Sequence, residues 1–178
     1  WLLMLGQRRD WTTFGAEYPK FRMNDDREVR CYALLVQHIT QGAAAPATLA
    51  DEVRRNWHGQ READDGCAHA ASRLIGERDG PRRAGSATGM TAQDAWVKAR
   101  LATEANRPRA ATKAVEIVSP ESLPLMAELN ASPVKFLTTR VTAMSKVRKE
   151  LITLALIKLA VGDAEGAARQ QIGRASCR

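Results

Sequence analysis

Apolar residues recur at helical spacing along most of the chain, and no segment alternates at period two as a half-buried strand would. Between Asp26 and Gln41, Val29, Tyr32, Ala33, Val36 and Ile39 fall at i, i+3, i+4, i+7 and i+10. This spacing predicts a helix with one apolar stripe, capped by Asp25 or Asp26. Leu49, Val53 and Trp57 continue the pattern at intervals of four. Cys67, Ala71 and Leu74 place the next stripe on a helix expected to start near Glu62 and end near Ile75. Thr91-Ala-Gln-Asp94 has the form of a capping box ahead of a helix over Trp96 to Ala105, and Pro108, Pro120 and Pro133 each suit a first helical turn. Ser145 to Val161 carries two apolar rows, Val147, Leu151, Leu154 and Ile152, Leu156, Leu159, as expected of an inner helix packed from both sides.

Four turns echo one another, around Gly6, Gly42, Asn106 and Gly162, and in each the glycine or asparagine is expected to supply a left-handed C-terminal cap. Short helices that cannot bury an apolar face alone must stack. The expected fold class is therefore all-α, a right-handed α-solenoid or superhelix of short antiparallel helical hairpins, with irregular repeats. Residues 79–89 collect glycine and proline without apolar period, and are expected to form a surface loop insertion.

Composition narrows the class without naming a function. The 178 residues are 44% hydrophobic and 26% charged, which is ordinary for one globular domain. The longest apolar run, Leu151 to Val161, contains Lys158 and is too short for a membrane span. The chain opens on Trp1, and Trp1 to Leu5 lacks the charged region and length of a signal peptide, so the sequence is expected to begin inside a longer protein. Residues 172–178, Ile-Gly-Arg-Ala-Ser-Cys-Arg, break the preceding pattern and resemble the translation of a short-read sequencing adapter. On that reading the superhelical segment is 1–171, Cys177 leaves the cysteine count, and removing Arg174 and Arg178 from the formal +7 leaves +5.

Four segments in order carry a resemblance. They are Arg9-Asp-Trp11; Glu17 to Ala33, with its Cys31-Tyr32 pair; Ala63-Asp-Asp-Gly-Cys-Ala68; and Ala95 to Ala102, with Glu104-Ala-Asn-Arg107 behind it. Together they resemble the amino-terminal superhelical region of soluble lytic murein transglycosylases. The resemblance implies a curved, non-catalytic helical scaffold in the periplasm, beside a lysozyme-like domain absent from this chain, with peptidoglycan glycan strands as the partner of the whole enzyme. It also implies that the fragment itself is inactive, and no cofactor or metal is expected. The family's catalytic glutamate, which serves as acid and then base, lies in an Arg-Gln-Glu-Ser context. Glu121-Ser122 is the only Glu-Ser pair here; preceded by Ser119-Pro120, it reads as a helix start. The family has a cystine in the corresponding region, which implies a disulfide between Cys31 and Cys67. Two independent buried thiols remain the alternative.

Other chemistry is weaker. Gly80 to Gly85 has the glycine spacing of a phosphate loop, but Ser86-Ala87 stands where a lysine and hydroxyl are required. His58, Cys67, His69, Asp64 and Asp65 lack any recognised zinc spacing. No base is placed to activate a serine or cysteine nucleophile. The basic pairs Arg8-Arg9, Arg54-Arg55, Arg82-Arg83 and the Lys146 to Lys149 run lie on separate elements among acids. Trp1, Trp11, Trp57 and Trp96 sit in apolar patterns expected to pack in cores, so no basic stripe with exposed aromatics for nucleic acid is expected. A cytoplasmic helical-repeat adaptor for a protein partner is the second functional reading, distinguished by reduced cysteines.

Overall fold

The computed structural model describes the chain except residues 24, 43–45, 47, 80–88, 141–144 and 176–178; for residues 77–79, 140 and 164–175 it describes the backbone alone. Among the described residues there are ten α-helices and no strand: α1 (Leu2–Gln7), α2 (Trp11–Glu17), α3 (Arg27–Gln41), α4 (Leu49–Gly59), α5 (Asp65–Asp79), α6 (Ala92–Glu104), α7 (Pro108–Val118), α8 (Leu123–Ala131), α9 (Pro133–Arg140) and α10 (Lys146–Ala175). The all-helical class read from apolar spacing is therefore found. The expected loop at 79–89 lies almost wholly outside the described residues. Of 172–178, only the helical backbone up to Ala175 is described. No helix among the described residues is long and apolar enough to cross a membrane.

The chain divides into two compact units, Trp1–Lys98 and Ala99–Arg178. In the first, α3 packs against α1, α2, α4 and α5. Its amino end is fixed by Asp26, whose Oδ1 accepts from the Glu28 and Val29 backbone N–H groups at 2.9 and 3.1 Å. Leu5, Phe14, Val29, Tyr32 and Val36 form a core cluster, with Trp11 and Tyr18 packed against it. α3 departs from the single stripe expected: Cys31, Leu34 and Leu35 are buried as well, whereas Ile39 is 44% exposed. The reason is that α4 and α5 cover a second side of this helix. Trp57 and Trp96 are buried as expected, but Trp1 is 70% exposed at the start of α1.

The turns divide two and two. Gly42 and Asn106 take positive φ, both 54°, as read. Gly6 does not. It lies inside α1, where an added Cβ would come within 2.4 Å of the Tyr32 ring, so this glycine permits close helix approach. The left-handed residue is Arg9, φ 58°, and the Arg9 and Asp10 N–H groups close onto the Gly6 and Leu5 carbonyls in a Schellman arrangement. Gly162 also fails as a cap, because α10 runs through it to Ala175. α5 starts at Asp65 rather than Glu62 because Asp64 caps it: Asp64 Oδ1 accepts the Cys67 N–H at 2.6 Å. It continues four residues beyond Ile75, to Asp79.

Within the second unit, α8 packs against α7, α9 and α10, and α9 against α10. Pro108 and Pro133 occupy first turns as read; Pro120 opens a 3-10 turn, Pro120–Ser122, directly before α8. Small residues of α7 (Ala110, Ala111, Ala114), together with Met126, Leu129, Phe136, Leu151 and Leu154, are buried. An ion pair between Arg100 and Glu150 ties α6 to α10. Of the two rows expected on α10, Leu151 and Leu154 are buried and Val147, Ile152 and Leu159 are half-buried, but Leu156 is 54% exposed.

Candidate functional site

A groove of about 440 Å³ lies on the first unit over one face of α3. Its floor is Arg30, Ala33, Leu34, Gln37, Thr40 and Gln41, spaced i, i+3, i+4, i+7, i+10 and i+11, so one helical face supplies a charge, two amides and a hydroxyl. Phe14 and Tyr18 form a wall from α2 and the turn after it, their rings stacked with centroids 5.8 Å apart. Thr48, Leu49 and Glu52 close the other side from the start of α4. The Gln37 and Gln41 side chains bond to each other at 3.3 Å, and the Thr40 hydroxyl donates back to the Val36 carbonyl at 2.9 Å. Paired amides beside an aromatic ring suit a neutral, hydroxyl-rich ligand.

At one end the groove meets a smaller pocket of about 280 Å³, and Arg30 and Glu52 line both. Arg30 Nη2 donates to Glu52 Oε2 at 3.1 Å, and that bond raises the guanidinium pKa. Arg27, Arg55 and Asn56 add to the pocket on the donor side, Asp25 and Asp26 on the acceptor side.

On another face of α3 the amino end of α5 is anchored. Cys31 and Cys67 are fully buried and sit at disulfide distance, S–S 2.09 Å with Cα atoms 4.8 Å apart. Gly66 makes this approach possible, since an added Cβ would lie 2.6 Å from the Glu28 carbonyl oxygen. Burial raises the Glu28 carboxyl pKa, and the Gly66 and Asp65 backbone N–H groups oppose that rise in part. Asp64, 9% exposed, uses one oxygen for the α5 cap, while Oδ2 has no hydrogen-bond donor among the described residues. Burial lifts its pKa to about 6. Lys98, 2% exposed, reaches from α6 to donate to the Trp57 carbonyl at 2.6 Å and to the Gln60 carbonyl, satisfying the end of α4; burial lowers its pKa to about 8.

The structure brings Cys31 and Cys67 together, and it does not assemble the histidines and acids singled out in sequence into a site. His58 Nε2 donates to the Asp94 carbonyl at 3.0 Å, His69 stacks on Trp11, and no metal-capable cluster exists among the described residues. Glu121 lies in the 3-10 turn, where a hydrogen bond from Ser119 Oγ lowers its carboxyl pKa. Arg54 is held between Asp94, at 2.7 Å, and Asp51, while Gly80 to Gly85 and Arg82-Arg83 fall outside the described residues. Sequence reading passed over Arg30, Gln37, Gln41 and Glu52. Their signal was the polar i, i+7, i+11 row on α3, which looks like a solvated helix face. Lys98 gave no signal, because nothing in its neighbourhood distinguishes it from an exposed lysine. No family model, curated protein or solved structure matches the chain.

Proposed function

We propose that this chain is the non-catalytic superhelical scaffold of a periplasmic lytic transglycosylase, a solenoid of short antiparallel helical hairpins that shapes and holds a murein glycan strand for a catalytic domain elsewhere in the parent protein. One observation carries the reading. The first three segments of the resemblance, distant in sequence, converge on Tyr32. Trp11 lies beside its ring at 6.1 Å, the backbone of Gly66 lies against it, and Cys31 and Cys67 join the two helices next to it. Trp11, Cys31, Tyr32, Gly66 and Cys67 thus have packing reasons to occur together, which supports reading the three segments as one unit. The amide-lined groove gives the scaffold a surface with the chemistry of a saccharide contact.

The test is co-sedimentation of the purified, oxidised chain with intact murein sacculi. Retention that is lost when the glycan strands are first digested supports the reading. Equal recovery in the supernatant with and without sacculi overturns it. A cytoplasmic adaptor would instead hold Cys31 and Cys67 reduced in the cell, so trapping of both thiols by alkylation before lysis favours that alternative.

A further inference from the structure

Asp25 and Arg55 are the uncommitted charges of the 280 Å³ pocket. Arg27 donates to the Gly59 carbonyl, Arg30 is paired with Glu52, and Asp26 caps α3. Among the described residues neither Asp25 nor Arg55 has a hydrogen-bond or ion-pair partner, although both are exposed and line the same concavity. Asn56, beside Arg55, is fixed by its amide donating to the Glu52 carbonyl at 2.9 Å. Among the described residues, the pocket therefore has a cation and an anion without a partner in its lining, around a space just below the usual size for drug-like ligands.

We infer that this pocket binds a small zwitterion, a free amino acid or the charged end of a short peptide, with Arg55 taking the carboxylate and Asp25 the ammonium. A simple anion would meet Asp25, Asp26 and Glu52 as repulsion, and a simple cation would meet Arg27, Arg30 and Arg55. Only a ligand carrying both signs is matched by both sides. Arg55 can take the carboxylate through two parallel N–H donors. The exposure of both residues keeps such pairs weak, which sets the expected affinity in the millimolar range. The inference rests on the charges of the pocket and not on the murein reading.

The test is a titration of the isotopically labelled full chain with L-alanyl-L-alanine, followed by backbone amide and arginine side-chain shifts. Saturable shifts at Arg55 and Asn56 are expected. N-acetyl-alanyl-alanine and alanyl-alanine amide, each missing one charge, should bind about tenfold more weakly or worse, as should the unblocked dipeptide to Arg55→Gln. Arg22→Gln, an exposed arginine outside the pocket, should bind as the native chain does. The absence of saturable shifts overturns the inference. So does binding of acetate or inorganic phosphate as tight as that of the dipeptide, or unchanged dipeptide binding by both Arg55→Gln and Asp25→Asn. Because the probe contains no sugar, failure here leaves retention on sacculi unaffected, and failure on sacculi leaves this titration readable.

Discussion

Asp64 and Lys98 are buried charges placed to satisfy helix ends, and the cost of burying them shows in their proton affinities. For Asp64 the folded-state value of about 6 lies above the ordinary 3.8. Between those values the folded chain binds more proton than the unfolded one, so this group makes stability fall as pH rises through the window. Asp64→Asn keeps the cap to Cys67 and removes the buried charge. At pH 7 it should be more stable than the native chain by about 1 to 3 kcal/mol, with the gain vanishing below pH 4. Denaturant midpoints measured across pH 4 to 8 check this; a variant equally destabilised at every pH defeats it. Lys98 has the opposite sign. Its folded value of about 8 lies below the usual 10.5, so the unfolded chain holds more proton between the two, and this lysine makes stability rise with pH through that window. Lys98→Met strands two carbonyls and should cost about 1 to 3 kcal/mol at pH 7, while flattening the alkaline rise in the same measurement.

Among the elements, helix existence was legible and helix ends were only partly so. Spacing placed α3, α4 and α5, and Asp26, Thr91 and Pro108 marked the starts of α3, α6 and α7. The Thr91 N–H donates to Asp94 Oδ2 at 2.7 Å, as a capping box requires. Gly6 misled because a glycine in sequence looks the same whether it turns the chain or admits a neighbouring ring, here that of Tyr32, while Gly162 sits in open space within α10. The groove was illegible for a related reason: Gln37, Thr40 and Gln41 have the composition of any solvated face until α2 and α4 wall them in. The cysteine pair was legible only through the resemblance, since nothing local orients one sulfur toward the other. Contact between α3 and α5 turns on Gly66, whose added Cβ would strike backbone at 2.6 Å. Gly66→Ala must push α5 away from Glu28 and is expected to lower stability by at least about 2 kcal/mol, with Gly76→Ala, in open space on the same helix, near neutral or stabilising. Equal midpoints for the two variants would contradict the close approach.

At the scale of the whole molecule, the Cys31–Cys67 closure spans 36 residues and should stabilise the chain by about 3 to 4 kcal/mol in the chain-entropy picture. The one Glu-Ser pair of the sequence does not supply what glycosidic cleavage asks for. A glutamate that protonates a glycosidic oxygen needs its carboxyl raised toward neutrality, usually by an apolar cleft. Glu121 is exposed, and the Ser119 hydroxyl holds its carboxyl below the ordinary value, so it gives up its proton too readily for the task. Asp64 has the raised value but lies under the α5 amino end with its other oxygen committed to Cys67, outside both described concavities. The expectation is that the purified chain releases no soluble anhydro-muropeptides from murein, read by chromatography of the supernatant after prolonged incubation. Release that disappears in Glu121→Gln would assign the reaction to that residue and remove the scaffold reading; release unaffected by that substitution would point to a carboxylate elsewhere in the chain, with the same consequence.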